Sequence, residues 1–234
     1  MNANFSERLA GLSTPHLADA CLRVGVPVRC APAGLTAVQR GMRCAGRALP
    51  VRHVGSVDVF LEALAYARPG DVLVVDNGGR LDEACVGDLV TLEVQKAGLH
   101  GIVIWGLHRD TDELVSIGLP LFSLGTMATG PLRLDPRPAD SMLSARVGHW
   151  NITQQDVVAC DSDGVLFMPQ EQLQEIMVAA TNIRETELQQ AEKMRAGISL
   201  REQTRFAEYL SARAKNPSVG FREHLRSLGR AIEE

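Results

Sequence analysis

Apolar positions along this chain recur with two different periods, and the two alternate through its first part. Leu17, Ala20, Cys21 and Val24 fall at helical spacing behind Ser13-Thr14-Pro15. A hydroxyl there can cap a helix and proline suits its first turn, so residues 5–24 read as helical up to Gly25. Residues 27–50 are rich in Gly, Pro and Arg, which predicts loops and one strand near 44–51. A second helix is expected over 57–67, closed by Pro69-Gly70. Residues 71–76, DVLVVD, then read as a short buried strand running into the turn Asn77-Gly78-Gly79.

The stretch from Gly87 to Asp110, GDLVTLEVQKAGLHGIVIWGLHRD, organises the rest. Val86, Leu89, Val90, Val94 and Ala97 are spaced i, i+3, i+4, i+8, i+11, as one helix face requires. Gly98 ends that helix, and the β-branched run Gly101–Trp105 reads as a buried strand. Such a unit brings the helix start at Asp88 and the residues after the strand, Arg109 and Asp110, to one sheet edge. Ligands bind at that edge in open α/β folds.

A short helix over 111–117 and a strand over 119–123 follow. Alternating helical and strand patterns predict an α/β fold with parallel neighbours. From 131 to 167 the pattern changes to short strands and turns, with 157–160 and 165–168 flanking the hairpin signal Asp161-Ser162-Asp163-Gly164. Beyond Pro169 the pattern is helical: 170–196, 200–214 and 221–232. The first of these sets Leu173, Ile176, Met177, Ala180 and Ile183 on one side. The expected organisation is a core over residues 1–168 and a helical tail over 169–234 that packs on the core or on a neighbouring subunit.

Composition narrows the functional classes. The chain has 234 residues, enough for one sizeable core, and aromatics are only 4 % of them, so that core must be aliphatic. A formal net charge of −4 leaves no basic footprint for nucleic acid. No apolar run approaches the roughly 20 residues that span a bilayer. MNANFSERLAGL has neither a basic start nor a long apolar stretch, so no secretory signal is expected. Cys21, Cys30, Cys44, Cys85 and Cys160 are odd in number and form no CxxC pair, which predicts buried free thiols in a reducing, cytoplasmic compartment.

The candidate chemistry sits at the organising stretch. Asp110 offers a hard oxygen ligand for Mg²⁺ or Mn²⁺ beside the permanent charge of Arg109. Gly87 leaves the backbone open at a helix start, where unpaired N–H groups favour an anion. Asp88, on the same edge, can shuttle a proton or hold waters of the ion's shell. Together these suit a 2-oxo acid that must become an enolate. Each piece also has a plainer reading: Arg109–Asp110 as a structural ion pair, Asp88 as a helix cap, Asn77-Gly78-Gly79 as a turn. His108 is a candidate substrate contact. His16, His53, His100, His149 and His224 show no metal-ligand spacing, and Asp161 and Asp163 read as turn residues.

An aspartate, twenty intervening residues and Arg-Asp form a motif that Asp88, Arg109 and Asp110 meet. With Thr14…Asp19-Ala20, residues 69–76, Gly101…Gly106-Leu107-His108 and residues 161–165, the chain resembles the regulator of ribonuclease activity A family over roughly residues 10–200. That family includes the class II 4-hydroxy-4-methyl-2-oxoglutarate (4-carboxy-4-hydroxy-2-oxoadipate) aldolases. The resemblance implies an α/β/α swivelling-domain sandwich with a C-terminal helical extension, assembled as a trimer or a pair of trimers. It implies a divalent metal on Asp110, enolate stabilisation by Arg109, Asp88 near the metal, and the substrate carboxylate on the Gly87, Asp88 and Leu89 backbone. It also implies that a tail carboxylate, Glu185 or Glu187, reaches a neighbouring subunit's site. The expected function is a metal-dependent lyase that cleaves or decarboxylates 2-oxo acids. The alternative is a ribonuclease-binding regulator.

Overall fold

The computed structural model describes residues 5–228. In chain order it holds α1 (Phe5–Arg8), α2 (Thr14–Arg23), β1 (Arg29–Cys30), β2 (Thr36–Ala37), β3 (Cys44–Arg52), α3 (Asp58–Ala65), β4 (Val72–Asp76), β5 (Ala84–Val86), α4 (Asp88–Lys96), β6 (Gly101–Trp105) and β7 (Leu107–His108). There follow α5 (Thr111–Ile117), β8 (Leu121–Ser123), β9 (Ser144–Val147), β10 (Trp150–Thr153), β11 (Asp156–Asp161), β12 (Gly164–Pro169), α6 (Leu173–Arg195), α7 (Leu200–Gln203), α8 (Phe206–Lys215) and α9 (Phe221–Ser227). The expected end of the last helix at residue 232 lies outside the described residues.

The main sheet has eight strands in the order β1-β12-β11-β3-β4-β6-β8-β2. β3, β4, β6 and β8 run parallel, as expected of alternating helices and strands. β11 and β12 form the expected hairpin across Asp161 and Gly164. Asp161 holds its turn to α2, accepting from the Thr14 N–H at 2.7 Å and the Thr14 hydroxyl at 2.6 Å. Ser13 caps α2 with the anticipated proline in its first turn.

Side chains alternate across a strand, and the core divides accordingly. Leu49, Val51, Leu73, Val75, Ile102 and Ile104 face α3, α4 and α5, meeting Phe60, Val94 and Leu114. Ala48, Val72, Val74, Val103 and Phe122 face the other side, closed by the β9–β10 hairpin through Ala145, Val147 and Ile152. Over the antiparallel half, Ala45, Val157, Ala159, Leu166 and Met168 are covered by α2 and α6. The result is the expected mixed α/β fold with a C-terminal helical extension.

The apolar stripe of the tail finds its cover within the chain. Leu173, Ile176, Ala180 and Ile183 are buried and Met177 is partly buried in the cluster with α2. The stripe therefore asks for no second subunit. Farther on, Phe206, Tyr209, Phe221 and His224 pack as a ring cluster, with centroids 5.0–6.1 Å apart, that ties α8 to α9. All five cysteines are free, but Cys30 is exposed, against the expectation that all are buried. No helix among the described residues is long and apolar enough to cross a membrane.

Candidate active site

The parallel strands end, in sheet order, at Arg52, Asp76, Trp105 and Ser123, and the chemistry gathers just past those ends. The organising stretch differs here from its sequence reading. Gly106 breaks the strand after Trp105, and Leu107–His108 start a second small ladder, parallel to Ala84–Val86. The Arg109 N–H extends it by donating to Val86 O at 3.0 Å. That ladder, rather than one continuous strand, sets Arg109 and Asp110 beside Gly87. It also takes Val86 out of the helix face: α4 starts at Asp88, buries Val90, Thr91 and Val94, and leaves Leu89 73 % exposed.

The approach at Gly87 is close. A Cβ there would lie 2.2 Å from Asp110 Oδ2 and 3.3 Å from Arg109 Cγ and Nε, so only glycine fits the arrangement as it stands. Asp110 has φ 59° and ψ 44°, the left-handed region that aspartate tolerates at a cost on the order of 1 kcal/mol. Such strain collects where geometry serves function. Its Oδ2 lies 3.4 Å from both the Asp88 N–H and Arg109 Nε. Asp88 Oδ1 accepts from the Leu89 N–H at 2.7 Å. Gly87 occupies the cap position, so Asp88 is a first-turn residue of α4 rather than its cap. The first amides of α4 are thus held by carboxylates of the site itself.

Gly87, Asp88, Leu89 and Arg109 line a cleft of about 430 Å³. Its other wall comes from His53, Gly55, Ser56 and Val57, which follow β3, and from Pro131 and Leu134. Sequence reading passed over this wall. His53 offers no ligand spacing; the available signal was its place one residue beyond β3, at the same edge as Asp88 and Arg109.

Behind the wall lies a buried polar network. The Glu83 side chain is fully buried and accepts from the Leu132 N–H at 2.8 Å and Arg133 Nε at 3.0 Å. Burial pushes its pKa up, but those hydrogen bonds and the charges of Arg80 and Arg133 outweigh burial and hold the carboxyl below its ordinary value. Arg133 Nη2 also donates to His53 O at 3.1 Å and to Asn77 Oδ1 at 3.0 Å.

Other candidates fall elsewhere. His108 is buried, its Nδ1 2.7 Å from Ser123 Oγ and its Nε2 3.2 Å from Thr111 Oγ1, and it does not line the cleft. Burial pushes its pKa down, partly offset by its backbone contact with Gly125. Glu187 pairs with His16 at 3.1 Å on the α2–α6 side, and Glu185 is exposed on α6; neither lines this cleft. The Asn77-Gly78-Gly79 run is a turn: the Asn77 and Gly79 N–H groups both donate to Trp105 O.

The family model described as RraA-like, Aldolase/RraA, matches residues 14–167, which takes in the whole cleft. The chain belongs to the RraA-like family. Protein DlpA of Legionella pneumophila is 26 % identical over 194 residues, covering 79 % of this chain and 30 % of that protein. A Pseudomonas aeruginosa protein, provisionally named 4-hydroxy-4-methyl-2-oxoglutarate aldolase, is 34 % identical over 102 residues. That match covers 43 % of this chain and 61 % of that protein. The chain thus spans less than two thirds of either relative. Among solved structures, Streptomyces coelicolor RraAS2, described as an unusual member of the RNase ES inhibitor RraA protein family, superposes with a TM-score of 0.69 at 25 % identity. It covers 83 % of this chain and 98 % of its own.

For a divalent ion the donor set can be tested directly. Among the described residues no three His, Cys, Asp or Glu side chains converge on one point, so a caged transition-metal site is not on offer. One carboxylate beside an open cleft is what Mg²⁺ takes, since it keeps several waters and fills its shell with substrate oxygens. Asp110 fits that role.

Proposed function

We propose that this cleft is the active site of a divalent-metal-dependent lyase that cleaves, or decarboxylates, 2-oxo acids through a pyruvate enolate. One observation carries the reading: the start of α4, a half-exposed guanidinium and a strained aspartate converge around a glycine that admits no side chain. The structural alternative for Arg109–Asp110 is weak. The contact is long at 3.4 Å and both side chains are open to solvent, where an ion pair contributes about 0–1 kcal/mol.

In this reading the substrate carboxylate takes the α4 amides, displacing the Asp88 and Asp110 oxygens that hold them now. Arg109 places its guanidinium against the C2 oxygen, where negative charge grows as the C3–C4 bond breaks. Donors aimed at developing charge are the largest single source of rate in such sites. Asp110 would hold the ion, which when bound would supply Lewis-acid charge to the developing enolate. The aldolase name of the Pseudomonas aeruginosa relative supports a carbon–carbon lyase.

Subunit association belongs to the same proposal. Val57, Leu89 and Leu134 line the cleft while 50–77 % exposed, an apolar rim that a neighbouring protomer of a trimer or a double trimer would cover. Glu185 or Glu187 would then serve a neighbour's site. The deciding experiment is pyruvate release from a panel of 4-hydroxy-2-oxo acids and oxaloacetate, with Mg²⁺ and after chelation. Mg²⁺-dependent turnover of at least one is expected. Ribonuclease inhibition with no turnover of any would favour the regulator reading instead, to which the likeness to RraAS2 gives weight.

A further inference from the structure

Among the described residues His53 is a titratable group of the cleft that the reading above leaves without a task. Its backbone is fixed at both ends: the N–H donates to Asp76 O at 2.9 Å and the carbonyl accepts from Arg133. Phe60 stacks on its ring at 5.2 Å between centroids with 4° between the planes. Its Nδ1 lies 2.9 Å from Asn77 Oδ1.

Hydrogen-bond chemistry then fixes the tautomer. Arg133 can only donate, so the Asn77 atom it meets at 3.0 Å must be the amide oxygen. An oxygen there can only accept from His53, so Nδ1 carries the proton and Nε2 carries the lone pair. This orientation leaves Asn77 Nδ2 buried without a partner, so the arrangement is held against a local cost. Glu83, fully buried, anchors Arg133 in place. Among the described residues Nε2 has no hydrogen-bond partner. It is also not one of the unpartnered atoms sealed from solvent, which are Asn77 Nδ2 and Arg80 Nε. His53, only 2 % exposed, is one of the residues that line the cleft together with Asp88 and Arg109.

We propose that His53 is the proton carrier of this cleft, with Nε2 as the reacting atom; the inference rests on the lyase reading. In retro-aldol cleavage Nε2 takes the C4 hydroxyl proton. The C4–O bond becomes a carbonyl, the C3–C4 bond breaks, and its electron pair passes towards the C2 oxygen to give the pyruvate enolate. The imidazolium then returns that proton to C3, so pyruvate leaves with no net change in protons.

The surroundings suit a base that is neutral at pH 7. Burial pulls the His53 pKa down from 6.5 and the Arg133 charge adds to this, while the Asn77 hydrogen bond and the charges of Glu83 and Asp58 push the other way, for a net lowering. Asp88 and Arg109 are the charged groups across the cleft.

The test uses the full chain with Mg²⁺ and two variants, each checked for an unchanged melting curve. His53→Gln should lower kcat/KM on the best substrate of the panel at least 100-fold, in the range of lost acid–base catalysis. It should also remove the acid limb of the pH–rate profile. Asn77→Asp sets a carboxylate against Nδ1 and should move that limb to higher pH. An acid limb that persists in His53→Gln overturns the proposal while leaving the lyase reading intact. Long-range ¹⁵N correlation spectra supply a readout independent of turnover. The Nδ1-protonated tautomer at pH 7, with Nε2 resonances that shift when oxalate and Mg²⁺ are added, is expected. The opposite tautomer, or Nε2 resonances indifferent to oxalate, overturns it even if the protein turns over nothing.

Discussion

Replacing Gly87 by alanine perturbs the site while sparing the fold. The backbone at Gly87 has φ −132° and ψ −163°, extended geometry that alanine adopts without strain. The new Cβ, however, would sit 2.2 Å from Asp110 Oδ2, where real contacts are essentially never under 3.0 Å. The atom in the way belongs to a short side chain on a left-handed backbone, so little slack is available. The carboxylate must retreat by about 1 Å, and misplacing a reacting group that far costs on the order of 100-fold in rate, or about 2.7 kcal/mol. Restricting the unfolded chain gains about 0.4–1 kcal/mol and crowding costs about 1–3 kcal/mol, so a net loss of stability between about 0 and 2.6 kcal/mol is expected. The assay is Mg²⁺-dependent pyruvate release beside a urea melt, with Gly34→Ala as control, because its Cβ would meet only Leu124 at 3.7 Å. A Gly87→Ala protein with turnover within twofold of the parent would refute the claim that Asp110 must stand where it does.

Four further outcomes follow from the same geometry. Asp110→Ala should abolish turnover at saturating Mg²⁺, and because alanine tolerates the left-handed backbone less well than aspartate it should also lose about 1 kcal/mol of stability. Arg109→Lys should lose tenfold or more in kcat, since an ammonium cannot reproduce a planar two-pronged contact; a loss within twofold would make Arg109 a structural partner. Glu83→Gln strips the counter-charge from half-buried Arg133 and should cost about 2–3 kcal/mol in urea unfolding, with a change under 0.5 kcal/mol contradicting the network described. His53 and His108 both have pKa values lowered from 6.5 by burial, so below that pH the unfolded chain binds protons that the folded chain refuses. Stability should therefore be full above pH 6.5 and fall as pH drops through the lower folded values, and His108→Gln should flatten that slope in thermal melts.

The regular part of this fold was legible because its signals are local. Ser13 and Pro15 at the start of α2, the aliphatic runs of β4 and β6, and the Asp161–Gly164 turn each specify their element within a few residues. Boundaries failed where tertiary pairing overrode periodicity. Val86 has helical spacing from Leu89 and Val90, yet it pairs with His108 in a parallel ladder whose partner lies over twenty residues away. Leu89 matched the apolar stripe but is exposed in the first turn of α4, whose buried face is Val90, Thr91 and Val94.

The same limit applied to the site. Gly87, Asp88, Arg109 and Asp110 share one stretch of chain and could be read together. The facing wall and the network behind it could not: His53, the pair Asn77 and Glu83, and Arg133 come from three separate stretches of chain and meet only through sheet order and buried hydrogen bonds. The tail left two alternatives open for a different reason. An unpaired stripe in sequence carries no address, and α2 covers much of it within the chain.

The central claim is that this cleft makes and holds a pyruvate enolate, and it can be tested without knowing the natural substrate. Pyruvate incubated with the protein in D₂O exchanges its methyl protons only as fast as the enolate forms, and proton NMR follows the loss directly. Loss that requires Mg²⁺, stops on chelation, is absent with Asp110→Ala and is slowed tenfold or more with Arg109→Lys is the predicted result. No exchange above the Mg²⁺-only background, or exchange that survives both substitutions, would contradict it.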